Sequence, residues 1–217
     1  MKVRHFDSRE SLNAALADRL KQAIEKDGGA IMLSGGHSPR PAYQALSSQS
    51  LCPAPGLRML YSDERYVPST SPDSNYRASL PLLSTLALPE EQVFRVRTEL
   101  PLDEAASDYE QRLRLLLHVP VRLGLLGMGA DGHTASLFTT EDLERARGRL
   151  AIAVQRPDGM QAVSVTPDWL SRVEKVLMVV IGAEKREKLA AFIAQDPKLV
   201  AWRAVAGCEE VEVWSDI

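Results

Sequence analysis

The chain has 217 residues, 45% of them hydrophobic, which suffices for a sizeable core and stays within the range of one domain, expected over 1–217. Its 26 basic and 29 acidic residues give a formal net charge of −3, which excludes a global footprint for nucleic acid or an anionic membrane and confines anion recognition to a local site. Cys52 and Cys208 lack C-x-x-C spacing, the most continuous apolar run (Val176 to Ala183) falls far below the roughly 20 residues that span a bilayer, and MKVRHFDSRE has no secretory apolar segment. A reduced, soluble, cytoplasmic chain is expected.

Ser8 to Asp27 places Leu12, Ala15, Leu16, Leu20, Ala23 and Ile24 on one helical face, with Gly28 as a stop. A strand is predicted over Ala30 to Leu33, a helix over Pro39 to Leu46, a strand over Leu57 to Tyr61, and a helix over Tyr76 to Leu83 after a Pro/Ser-rich loop. A helix over Asp103 to Leu117 and a strand over Val121 to Leu126 follow, then a candidate strand over Ala151 to Gln155. The chain closes with a strand over Val176 to Ile181, a helix over Ala183 to Ile193 and a short strand over Val211 to Trp214. Continuous apolar strands alternating with helices imply an α/β fold, a Rossmann-like three-layer sandwich around a mostly parallel sheet, with ligands outside the carboxyl ends of the strands.

Three polar strand exits mark where chemistry is expected. Ser34-Gly35-Gly36-His37-Ser38-Pro39 leaves a strand and opens a helix, with Ser38 as N-cap and Pro39 at the first helical position; exposed amides there cradle an anion, or the stretch is an ordinary turn. Arg40 stands where a nucleophile elbow needs a second small residue, so Ser38 is read as a cap or phosphate ligand and not as a nucleophile. Ser62-Asp63-Glu64-Arg65 clusters two carboxylates with a guanidinium able to bind phosphate bidentately, with Glu64 read as a structural ion-pair partner and Val67 to Asp73 as a possible lid. The third exit, LGLLGMGADGHTASLF from Leu123, brings Asp131 and His133 together at the mouth of a helix. Its Gly127, Gly129 and Gly132 match G-x-G-x-x-G, but Asp131 would repel a pyrophosphate and Ala151 to Gln155 offers no acid for a ribose, which argues against a dinucleotide. No histidines pair at metal-ligand spacing, so no metal site is indicated.

The chain resembles the 6-phosphogluconolactonases over nearly its whole length. The likeness rests on LSGGHSP from Leu33, SDERYVP from Ser62 with DSN from Asp73, GMGADGHTASLF from Gly127, and GAEK from Gly182. It implies a sheet shared with glucosamine-6-phosphate deaminases, no cofactor, and a phosphorylated sugar lactone as the small-molecule partner, handled by a monomer or small homo-oligomer. Carried over by position, His133 is the general base and Asp131 its neighbour. Ser34, Gly35, Gly36, His37, Ser38, Asp63, Arg65, Gly129 and Lys185 are the candidates for substrate contact. The chain departs from the family pattern in three places. His37-Ser38 replaces Ser-Thr, Thr139 stands where a proline follows Phe138, and no arginine enters the strand near Gln161, leaving open whether Arg156 takes over that contact.

The mechanism so implied has His133 take a proton from water attacking the lactone carbonyl, while amides of the glycine-rich turn and nearby cations stabilise the oxyanion. The rivals are a sugar-phosphate deaminase or isomerase, with Asp63 moving a proton between carbons, and a sugar-phosphate sensor without turnover.

Overall fold

A computed structural model describes residues 1–217. It opens with β1 (Lys2–His5), whose four residues are all exposed, and α1 (Arg9–Gln22), capped by the Ser8 side chain. The predicted first helix ends in a wider π-turn over Ala23–Asp27 before Gly28, at φ 63°, stops it. The buried strand β2 (Ala30–Leu33) then leads to α2 (Arg40–Ser47), β3 (Arg58–Tyr61), β4 (Asp63–Arg65) and α3 (Asn75–Leu86). Next come β5 (Val93–Phe94), α4 (Leu102–Arg114), β6 (Val121–Gly127), α5 (Thr140–Arg145), β7 (Ala151–Gln155), β8 (Gln161–Val165) and α6 (Pro167–Leu170). The chain closes with β9 (Lys175–Val180), a 3-10 turn over Ala183–Lys185, α7 (Arg186–Ile193), α8 (Val200–Val205) and β10 (Glu210–Ser215).

Seven strands form one wholly parallel sheet in the order β1-β10-β9-β6-β2-β3-β5. Both of its faces are covered, as continuous apolar strands require. Ile31 and Leu33 of β2 face a cluster with Leu12, Leu16 and Leu20 of α1, Tyr43 of α2 and Leu82 of α3. Ala30 and Met32 face the opposite cluster, with Tyr109 of α4, Trp169 of α6, Phe192 of α7 and Val205 of α8. Chain order runs outward from the neighbours β2 and β6, to β5 on one side and to β10 on the other with β1 added at that edge, so a topological switch point falls between their carboxyl ends, where a crevice opens.

The expected α/β architecture holds, but a second sheet joins it. Ser62 to Arg65, read from sequence as a polar exit, instead contains β4, which pairs antiparallel with β8, itself paired with β7. Ser62 is the joint: its amide donates to Leu33 O (2.8 Å), while its carbonyl accepts from Val165 N (2.9 Å). The short alternation Gln161–Val165 and the charged run Asp63-Glu64-Arg65 both lie below the threshold at which periodicity alone marks a strand. The edge strand β1 escaped notice because it is polar and exposed, as blunted edges are.

Candidate active site

The crevice at the switch point is a cleft of about 410 Å³, within the range of small-molecule sites. Ser34, Gly35, Gly36, His37, Ser38, Asp63, Arg65, Gly129, His133 and Lys185 all line it, and Asp131 sits behind His133. A larger groove of about 910 Å³ between α3 and β5 lacks an acid–base pair, and of its three arginines Arg95 and Arg97 are engaged by Glu99 and Asp108 while Arg112 donates to Val93 O.

After β6 the backbone turns back on itself. Gly129 N–H donates to His133 O and Gly132 N–H to Gly129 O, both 3.0 Å. His133 therefore stands on a tight loop and not at a helix mouth, since no helix begins before Thr140. The same bonds correct a second expectation: the amides of Gly129 and Gly132 are already used and do not serve as oxyanion donors. What the loop presents is a side-chain pair. His133 Nδ1 lies 2.6 Å from Asp131 Oδ1, which also accepts the His133 amide at 3.2 Å. A Cβ on residue 129 would overlap both His133 Nδ1 and Asp131 Oδ1, so glycine is required there by close approach. Partial burial raises the Asp131 pKa, but the side-chain and backbone hydrogen bonds from His133, with its charge, together outweigh it and leave the carboxyl below its ordinary value. With Nδ1 held by a carboxylate, Nε2 carries the lone pair. Phe138 packs on the imidazole, ring centroids 4.3 Å apart.

The loop after β2 is built the other way. Amides of Gly35, Gly36, His37 and Ser38 find no acceptor within the protein, and buried Tyr43 fixes the strand end by donating to Ser34 O (2.8 Å). The helix cap is Pro39, one residue beyond the expected Ser38, whose side chain makes no capping bond. Gly35 lies so close to Asn75 that a Cβ would overlap its carboxamide. Asn75 in turn donates to Asp63 O (2.9 Å) and accepts from Arg65 Nη1 (2.8 Å), joining this loop to the second exit.

Arg65 Nη1 also donates to Asp73 O (2.8 Å), tying the end of the Pro/Ser-rich loop to the cleft. Its Nη2 makes no bond within the protein, and its Nε is buried without a partner. Asp63, 6% exposed, accepts from Ser62 Oγ (2.8 Å) and Ser136 Oγ (2.7 Å). Glu64 is not the ion-pair partner expected. It is 2% exposed and accepts from the amides of Arg65, Asn75 and Tyr76 and from Ser74 Oγ, closing the N-terminus of α3. Burial, opposed by these bonds, pushes its pKa up to about 7.

Lys185 reaches the cleft from the turn after β9, and burial, aided by the charge of Arg9, lowers its pKa against the opposing pull of Glu184. Arg9 was not foreseen, because its position follows the polar edge strand that sequence periodicity does not reveal. Ser136 was missed as the link between Asp63 and its surroundings; a serine inside an apolar run carries no pairing signal. Arg156 does enter the cleft, from the β7–β8 turn. The lining thus carries Arg9, Arg65, Arg156 and Lys185 against Asp63 and Glu184, a local excess of positive charge in an acidic protein.

Residues 7–214 match the family model described as glucosamine-6-phosphate isomerases/6-phosphogluconolactonase. A 6-phosphogluconolactonase of Nostoc sp. is 36% identical over 188 residues, covering 81% of this chain and 76% of the relative. The crystal structure of a 6-phosphogluconolactonase from Thermotoga maritima superposes with a TM-score of 0.80 at 30% identity, covering 98% of this chain and 96% of that one. A 6-phosphogluconolactonase structure from Trypanosoma brucei gives a TM-score of 0.85 at 26% identity, with 99% and 95% covered.

Proposed function

We propose that this chain, which belongs to the family of glucosamine-6-phosphate isomerases and 6-phosphogluconolactonases, hydrolyses 6-phosphogluconolactone to 6-phosphogluconate in the oxidative pentose phosphate pathway. The observation that carries the reading is one cleft holding both the Asp131–His133 pair and a strand exit with open amides.

The phosphate is taken by the amides of residues 35–38, with Lys185 and Arg65 adding charge. Binding at that end positions the lactone carbonyl by interactions remote from the reacting carbon. His133 Nε2 accepts a proton from water as its oxygen adds to the carbonyl, and Asp131 holds the ring and stabilises the imidazolium. Charge developing on the carbonyl oxygen is met by the cationic lining, since the turn's own glycine amides are committed. Collapse of the tetrahedral intermediate breaks the ring C–O bond, and the proton returned by His133 completes the hydroxy acid. Proton transfer between substrate carbons, as an isomerase or deaminase needs, is disfavoured because Asp63, the acid it would use, is 6% exposed and held by Ser62 Oγ and Ser136 Oγ.

A cytoplasmic enzyme, as a monomer or small homo-oligomer, completes the proposal; no helix is long and apolar enough to cross a membrane. The test is the rate of ring opening of freshly generated 6-phosphogluconolactone and of gluconolactone, each above its spontaneous rate. A large preference for the phosphorylated lactone is expected. Absence of any enzyme-dependent rate would sink the lactonase reading.

A further inference from the structure

Ser136 is wholly buried, three residues after His133 and two before Phe138, the ring that packs on the imidazole. Its amide donates to Ser164 Oγ of β8 (3.1 Å) and its hydroxyl to Asp63 Oδ2 of β4 (2.7 Å). Ala135, just before it, sits at φ 50°, a left-handed conformation that residues other than glycine rarely adopt and that persists where surrounding contacts hold it. The two bonds of Ser136 are such contacts, and they fasten the far end of the His133 loop to the second sheet. Asp63 continues the path. Its carboxylate takes hydroxyls at both oxygens, from Ser136 and Ser62, while its own carbonyl accepts from Asn75 Nδ2 (2.9 Å). The Asn75 carboxamide lies against Gly35, where a Cβ would overlap it. Ser136, Asp63 and Asn75 are 0, 6 and 1% exposed, so one buried polar path runs from the loop that bears the base to the open amides of residues 35–38. A carboxylate buried against hydroxyls alone costs more to desolvate than a well-packed apolar side chain would. What such a network supplies is fixed geometry.

We propose that Ser136 is a positioning residue: by clamping the His133 loop onto Asp63 it sets the spacing between the base and the anion-binding loop, and with it the preference for a lactone held at both ends. The inference rests on the lactonase reading above, in which phosphate occupies the amides of residues 35–38 while the carbonyl meets His133. A lactone anchored by its phosphate cannot shift to follow a displaced imidazole, and a misplacement of about 1 Å costs on the order of 100-fold in rate. An unphosphorylated lactone is free to re-register against the base. Two other bonds steady the loop, Thr134 Oγ1 to Gly127 O (2.8 Å) and Ala201 N to Gly132 O (3.0 Å), but they tie it to its own strand and to α8. Ser136 ties it to the half of the cleft that carries residues 35–38.

The experiment measures kcat and KM for 6-phosphogluconolactone and gluconolactone, and 6-phosphogluconate affinity by calorimetry, in the wild type, Ser136→Ala and Ser164→Ala. Ser136→Ala is expected to lower kcat on the phosphorylated lactone on the order of 10- to 100-fold, with KM and 6-phosphogluconate affinity within about twofold of wild type and kcat/KM for gluconolactone changed less than about threefold. Ser164→Ala, which removes the acceptor of the Ser136 amide, lowers the same kcat roughly 2- to 10-fold, the weight of one neutral hydrogen bond. It carries the test if Ser136→Ala does not fold. A general loosening of the loop lowers both lactones together, and that result overturns the spacing role, as does an unchanged kcat. Loss of 6-phosphogluconate affinity overturns it too, since Ser136 then acts on the ligand through Arg156 Nη1, 3.4 Å from its hydroxyl. If the wild type opens neither lactone, the lactonase reading fails, and crystal structures of the wild type and Ser136→Ala decide the clamp alone. A wider separation of His133 from residues 35–38 supports it, and superimposable loops end it.

Discussion

The loops that follow β2 and β6 leave adjacent parallel strands, are both rich in glycine, and do opposite things. In residues 127–133 the amides of Gly129 and Gly132 bond within the loop, and what emerges is an oriented imidazole backed by a carboxylate. In residues 34–38 the amides bond to nothing, and what emerges is the backbone itself. Glycine serves the first by letting side chains lie against the main chain, and the second by leaving amides uncovered. A glycine-rich strand exit is thus not one kind of structure: where its amides go decides whether it presents a side-chain pair or open backbone donors.

That division predicts that changes in the β6 loop reduce turnover and changes in the β2 loop reduce affinity. His133→Ala gives the largest effect, a fall in kcat of about 100- to 10,000-fold, or about 3 to 5.5 kcal/mol of barrier, after subtraction of spontaneous hydrolysis. Full turnover in that variant would remove the base from the scheme. Gly129→Ala follows, on the order of 100-fold in kcat with little change in KM, because the added carbon displaces the Asp131–His133 pair by a fraction of its length. A crystal structure of that variant with the pair undisturbed and the rate still lost would show that the loop acts by another route.

Glu64 sharpens the comparison from beneath, because it holds the Asn75 amide on which the β2 loop rests. Its folded pKa of about 7 exceeds the ordinary 4.5, so the folded protein retains a proton that the unfolded chain releases. The stabilisation this gives is complete below about pH 4.5 and is lost as pH rises through about 7. Measured against Glu64→Gln, the wild type is expected to lose roughly 2 to 3 kcal/mol of unfolding free energy across that window. Parallel curves for the two proteins would contradict it. Gly36→Ala has the smallest effect. Residue 36 sits at φ 80° with open space around a Cβ, so the strain is about 1 kcal/mol and shows as a several-fold rise in KM. A loss confined to kcat would break the division between the loops.

Much of this site is legible in the residues alone. Ser34 to Ser38, Asp131 and His133 stand at the ends of two apolar runs, β2 and β6, whose burial on both faces leaves them no alternative to a central parallel strand. Where short-range pattern fails, the cause is long-range pairing. β4 has three residues, two of them acidic, and becomes a strand only because β8, about a hundred residues on, offers it a ladder. Glu64 beside Arg65 suggests an ion pair, yet the amides of α3 reach the carboxylate first. Arg156 was raised only through the likeness to the family and not by its own pattern, since a turn arginine is normally solvated.

Strand and helix order, the parallel sheet and the identity of the acid–histidine loop follow from local hydrophobic pattern and glycine placement, which act over a few residues and are written in the chain. Which amides remain open, which carboxylate caps a helix and which cations face one cleft were decided only when segments distant in sequence came together. Hydrogen-bond donors and charges find partners in space, and those partners compete only after the fold has set their distances.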